Sequence, residues 1–123
     1  MAPRIKISER RLGDVTILDL RGRLVFDEGD ASIVEHIDLL IGQGRIQIIL
    51  NLQGVGYIDS AGVGAIVAKF VTLRKRGGDL KLLRLSYRVR RVIKIAHLLT
   101  VFETFESEDL AVRSFAPLHH TAG

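Results

Sequence analysis

Ile46-Gln47-Ile48-Ile49-Leu50-Asn51-Leu52 is the stretch whose reading decides the fold. It is rich in β-branched residues and has apolar side chains on both parities, which is the pattern of a central strand covered on both faces. Before it, Ile33, Val34, Ile37, Leu40 and Ile41 form one helical stripe between Asp30 and Ile41, with Asp30 in position to cap the start and Gly42 and Gly44 to stop it. Further upstream, Ile5 and Ile7 share one side of a first strand. A turn at Gly13-Asp14 then leads to the more buried run Val15-Thr16-Ile17-Leu18-Asp19-Leu20, which Gly22 interrupts.

Downstream of the central strand, Gly54 to Ile58 leads to Asp59-Ser60 and a helix from Ala61 to Lys75. Its expected inner stripe is Val63, Val67, Phe70 and Val71, with Ile66 and Leu73 at the margins, and Gly77-Gly78 ends it. Leu80 to Leu85 reads as another strand. Ser86 caps a helix that turns Val89, Val92, Ile93 and Ala96 inward and leaves Arg88, Arg91 and Ile95 outside. Val101 to Phe105 gives a short strand, and Ser107 caps a terminal helix reaching Arg113. Three strand-helix-strand units behind an opening hairpin predict a mixed five-stranded α/β sheet with an N-terminal antiparallel pair and about four helices, mainly on one face. The expected domain spans 4–113, and 114–123 is expected to be a flexible tail.

Composition bounds the chemistry. A chain of 123 residues that is 47% apolar and 26% charged suits one domain with a packed core. Without cysteine it has no disulfide and no thiolate nucleophile, and its scattered histidines speak against a zinc site, so neither metal nor cofactor is expected. The apolar stretch Gly62 to Leu73 carries Lys69 and is too short to span a bilayer, and the amino terminus has no apolar targeting core. These features predict a cytoplasmic protein. The net charge of +4 is uneven: ten basic residues from Lys69 to Lys94 face Asp79 alone, a balance of +9 that leaves the remainder at −5. Arg88, Arg90, Arg91 and Lys94 share a helix without the patterning of a base-reading element, and no nucleic acid is expected.

The segment Gly54-Val55-Gly56-Tyr57-Ile58-Asp59-Ser60-Ala61-Gly62-Val63-Gly64 has more glycine than a strand-to-helix turn requires. It lacks the Gly-Lys-Ser/Thr ending of a nucleotide-hydrolase loop and the spacing of a dinucleotide fingerprint. Nor is it Gly-x-Ser-x-Gly, and His36, His97, His119 and His120 offer no convincing base for a serine nucleophile. Three roles stay open for Ser60 at this level: a helix cap, a small-anion site, or a phosphoacceptor whose added charge repels a partner. Asp59 can steady the loop by accepting backbone hydrogen bonds. Gly62 and Gly64 in the first helical turn indicate close approach of a neighbouring chain or a partner.

The stretch from Ile48 to Gly64, with its Asp-Ser-x-Gly-hydrophobic-Gly run, resembles the signature of the STAS domain, and specifically of bacterial anti-sigma factor antagonists; the resemblance extends over about residues 4 to 113. It implies a non-catalytic protein, a monomer or weak dimer, whose Ser60 is phosphorylated by a partner that is both serine kinase and anti-sigma factor, with Asp59 shaping the acceptor. Unphosphorylated, such a protein captures the kinase and frees sigma factor; a phosphatase acting on phosphorylated Ser60 would restore that state. The partner surface it implies comprises Gly22, Leu24, Asp27, Tyr57, Asp59, Ser60, Ala61, Gly62, Val63 and Gly64. Asn51 stands where the family often has Asp, and Val25 where it has an acidic residue; Asp27 and Glu28 are the candidates to take that place by a loop adjustment. The alternative within the same fold is a scaffold or a subunit of a signalling or lipid-transport complex.

Overall fold

The computed structural model describes residues 5–25 and 31–116. Strands β1 (Lys6–Leu12), β2 (Val15–Leu24), β3 (Gln47–Ile58), β4 (Asp79–Leu83) and β5 (Thr104–Phe105) form one sheet in the order β1-β2-β3-β4-β5. The β1-β2 pair is antiparallel and the remaining pairs are parallel. Helices α1 (Ser32–Gly42), α2 (Ser60–Lys75) and α3 (Tyr87–Ile95) supply the crossovers, and α4 (Glu108–Arg113) follows β5. The expected mixed sheet, hairpin and helix number are all present.

Strand parity sorts the core into two layers. Leu18, Leu20, Ile48, Leu50, Leu52, Leu80 and Leu82 point to the side covered by Ile33, Ile37 and Leu40 of α1, Ile66 and Leu73 of α2, and Val89 and Ile93 of α3. Val15, Ile17, Ile49 and Leu83 point to the other side, where Ala111, Phe105, Val112 and Phe115 pack against them. Ile48, Ile49, Leu50 and Leu52 have no exposed surface, so consecutive residues of β3 are buried on opposite faces. Each such side chain contributes about 1.5–3 kcal/mol.

Several local expectations change in the folded chain. Strand β2 does not end at Gly22: that residue adopts φ 118° inside the strand, which shifts register and continues to Leu24. Strand β3 likewise runs on through the glycine-rich segment to Ile58, because β2 continues to pair with it there. Strand β5 shrinks to Thr104–Phe105. In α2 the buried residues are Gly62, Val63, Ile66 and Leu73, so Ile66 and Leu73 are central to the stripe, whereas Val71 is 43% exposed. Ala96 is exposed at the end of α3. Ala31 occupies the N-cap of α1 without a side-chain bond; Asp30 lies outside the described residues. Ser86 and Ser107 cap α3 and α4 as expected, accepting from Val89 N and Leu110 N.

The face covered by α4 also carries charge. Arg10 of β1 donates to both carboxylate oxygens of Asp19 (2.6 and 2.9 Å) and of Glu108 (3.0 and 2.7 Å), tying β1, β2 and α4 together. Those bonds hold the Asp19 and Glu108 carboxyls below their ordinary range and strengthen the protonated state of Arg10. Asn51 Nδ2 donates to Asp19 Oδ1 at 2.8 Å, so an aspartate at position 51 would set two carboxylates against each other. Residues 114–116, at the start of the segment expected to be a tail, lie against the sheet. Buried Lys81 donates to Ser114 O and Oγ, and Gln47 Nε2 donates to Ala116 O. Residues 117–123 lie outside the described residues.

Candidate functional site

The turn from β3 into α2 is built from the end of β2. Leu24 pairs with Ile58, and Leu24 O accepts from Asp59 N at 3.3 Å, carrying the β2-β3 ladder one residue past the strand. Asp59, extended at φ −96° and ψ 175°, is the N-cap: its Oδ1 accepts from Gly62 N at 2.6 Å, and its carbonyl accepts from Val63 N. The expected loop-steadying role of Asp59 is therefore present. Ser60 is not the cap; it is the first helical residue, exposed, and its hydroxyl makes no side-chain hydrogen bond among the described residues. An extended conformation is required of a cap, and the ladder imposes it on Asp59.

The glycines divide into two kinds. A Cβ on Gly62 would meet Leu24 O at 2.5 Å and Ile58 Cγ1 at 3.0 Å, and one on Gly54 would meet Leu20 O at 2.7 Å. Both are demanded by the approach of β2. A Cβ on Gly56 or Gly64 would meet nothing within 4 Å, and both residues are exposed. Gly64 lies one helical turn after Ser60, hence on the same face, together with exposed Ala68. The outer start of α2 is therefore smooth, and no acidic residue sits in its first turn.

The other expected site residues fall around this turn. Tyr57 is 43% exposed and its ring lies 5.0 Å beneath the guanidinium carbon of Arg23, its partner in register. Ala61 is exposed and Gly22 is half-buried. Leu24 and Val63 are buried, as is Gly62, so these three hold the turn in place and cannot form its outer surface. Val25 is only 7% exposed, which makes it a packing residue too. Asp27 and Glu28 lie outside the described residues. Arg23 was not singled out by sequence; its register opposite Tyr57 depends on the shift between Gly22 and Arg23, where β3 advances two residues, from Val55 to Tyr57, against one in β2.

The STAS domain family matches this sequence over residues 6–111. The chain belongs to the STAS domain family. It is 27% identical over 112 residues to BtrV of Bordetella bronchiseptica, covering 90% of this chain and 95% of that one. It is 40% identical over 52 residues to the anti-sigma-B factor antagonist of Bacillus subtilis, covering 42% and 48% of the two chains. The structure of the Bacillus cell fate determinant SpoIIAA in its phosphorylated form superposes with a TM-score of 0.69 at 24% identity, over 88% of this chain and 97% of that one. That likeness establishes the fold, with the same mixed sheet. Among the described residues no helix of this STAS domain is long and apolar enough to cross a membrane, and no cluster of His, Cys, Asp and Glu could hold a metal ion.

Proposed function

We propose that this STAS domain is an anti-sigma factor antagonist, a regulatory binding protein whose association with an anti-sigma serine kinase is controlled by phosphorylation of Ser60. The observation that carries the reading is the division of labour at the start of α2: Asp59 satisfies the helix terminus, which leaves the Ser60 hydroxyl exposed and, among the described residues, unengaged beside the smooth positions Ala61 and Gly64. Other helix-associated hydroxyls are committed: Thr72 Oγ1 donates to Ala68 O, Ser86 Oγ to Val55 O and Ser114 Oγ to Ala111 O. The names of the relatives as anti-sigma factor antagonists support the same reading.

In this reaction Ser60 Oγ bonds to the γ-phosphorus of ATP as the bond from that phosphorus to the β-γ bridging oxygen breaks, giving phosphoserine and ADP; the hydroxyl proton passes to a base on the kinase, which also holds Mg²⁺. The product adds about −1.5 to −2 charge. It sits at a helix N-terminus, whose dipole tolerates it, so the fold survives while the contact surface becomes repulsive to a partner shaped for the neutral hydroxyl. A phosphatase hydrolysing that ester returns the binding form. The expected partner contacts are Tyr57, Ser60, Ala61 and Gly64, with Arg23 beside Tyr57.

Intact-mass analysis after incubation with an anti-sigma serine kinase, ATP and Mg²⁺ tests this. One added phosphoryl group on Ser60 is expected, with none on Ser60→Ala, which still binds the kinase; Ser60→Asp binds more weakly. Stoichiometric phosphorylation at Thr72 or Ser86 with Ser60 untouched would overturn the assignment, as would no phosphorylation by a kinase verified on its own substrate.

A further inference from the structure

Helix α3 buries Val89 and Ile93 completely and turns a second, equally regular stripe outward: Tyr87, Arg90, Arg91, Lys94 and Ile95, at spacings i, i+3, i+4, i+7 and i+8. These five residues line a shallow concavity of about 420 Å³ among the described residues. Tyr87 is 76% exposed and Ile95 67%, so two large apolar groups stand at either end of a cationic stretch.

Three features show that this face is unsatisfied among the described residues. Cations three and four residues apart, Arg88 with Arg91, Arg90 with Lys94 and Arg91 with Lys94, repel one another along the helix. No acidic residue stands in the first turn, where the macrodipole would favour one; Arg88 stands there instead. The described ion pairs bring one carboxylate to this face, Glu106 at 3.5 Å from Arg90 Nη2, and that carboxylate is itself 76% exposed.

We propose that this face of α3 is a docking surface for an acidic amphipathic segment of a partner protein, one that sets carboxylates against Arg90, Arg91 and Lys94 and an apolar side chain against Tyr87 or Ile95. The proposal goes beyond the Ser60 reading and does not rest on it. Charge complementarity is the basis for an acidic occupant, and the paired apolar ends favour a protein over the other polyanions. A bilayer takes up the contiguous apolar face of an amphipathic helix, and that face of α3 is already inside the core. Phosphates of a duplex would use the cations but leave Ile95 without a role. Tyr and Arg are among the residue types enriched at the hot spots of protein interfaces.

The test uses the intact domain and a fluorescein-labelled synthetic helical peptide with glutamates three and four residues apart and leucine at each end, alongside a scrambled peptide of the same composition. Vesicles containing phosphatidylglycerol and a short DNA duplex are assayed in parallel. Anisotropy should detect binding of the patterned peptide at low salt. Arg91→Glu with Lys94→Glu should weaken it about tenfold or more, and Tyr87→Ala roughly fivefold, since truncation of an interface anchor has effects of this order. These side chains are exposed, and unchanged far-UV circular dichroism verifies that the variants fold. Equal binding of the scrambled peptide, or indifference to Tyr87→Ala, reduces the face to a generic polyanion attractor and overturns the proposal. Tighter binding to vesicles or duplex, or no binding of the patterned peptide, overturns it as well.

Discussion

Gly62 and Gly64 look alike in the sequence, and the structure assigns them opposite responses to alanine. At position 62 the new Cβ would lie 2.5 Å from Leu24 O, 3.0 Å from Ile58 Cγ1 and 3.1 Å from Asp59 Oδ1. Leu24 O belongs to the backbone of a strand paired with β3, so relief requires α2 to move away, an overpacking cost of about 1–3 kcal/mol. That movement also stretches the 2.6 Å bond from Gly62 N to Asp59 Oδ1, a cap of about 1 kcal/mol. Alanine's better helix propensity returns at most about 1 kcal/mol. Gly62→Ala should therefore lose about 1–3 kcal/mol net. Gly64→Ala meets nothing within 4 Å and should gain up to about 1 kcal/mol. Urea denaturation followed by far-UV circular dichroism, with equal m values, reads both changes as midpoint shifts in opposite directions. A Gly62→Ala protein as stable as the parent would refute the close packing of α2 on β2. Kinase binding should be weakened by a large residue at position 64 without loss of stability, whereas position 62 cannot separate the two effects.

Asp59→Ala should cost about 1 kcal/mol through the lost cap, while Ser60→Ala should change stability by less than about 0.5 kcal/mol as an exposed substitution; denaturation midpoints in the reverse order would show that the cap has been misassigned. Acid sensitivity is expected from Asp19 and Glu108, whose carboxyls are held low by Arg10, and from Glu9, held low first by Arg11 and then by His36. Because these folded-state values are depressed, the stability they confer is fully present above the ordinary values of 3.8 and 4.5 and is lost as pH falls through the lower folded values. Arg10→Ala should accordingly be less stable than the parent at neutral pH, with the gap closing on acidification; a gap independent of pH would locate the effect of Arg10 in packing. Ile48→Asp places a carboxylate where no surface is exposed and should cost more than about 4 kcal/mol, and an unchanged midpoint would contradict the central position of β3.

The sequence alone established what depends on local chemistry and periodicity. Two-sided burial of Ile48 to Leu52, the stripe of α1, the caps Ser86 and Ser107, and the strand-helix alternation all follow from patterns contained within ten or so residues. The Asp59-Ser60 pair was also legible as a helix start. Which of the two caps was not, because both side chains can accept an amide hydrogen bond and the choice falls to the backbone conformation. That conformation is set by the bond from Asp59 N to Leu24 O, whose partners are 35 positions apart in the numbering. The same distant strand makes Gly62 a packing residue and leaves Gly64 open, extends β3 to Ile58, and sets Arg23 over Tyr57. The inner stripe of α2 likewise settled on Ile66 and Leu73 only when the helix was laid against the sheet. A sequence determines which residues can take a role; the long-range register of β2 on β3 decides which residue takes it, because hydrogen bonding and steric contact act between chain segments that local pattern does not bring together.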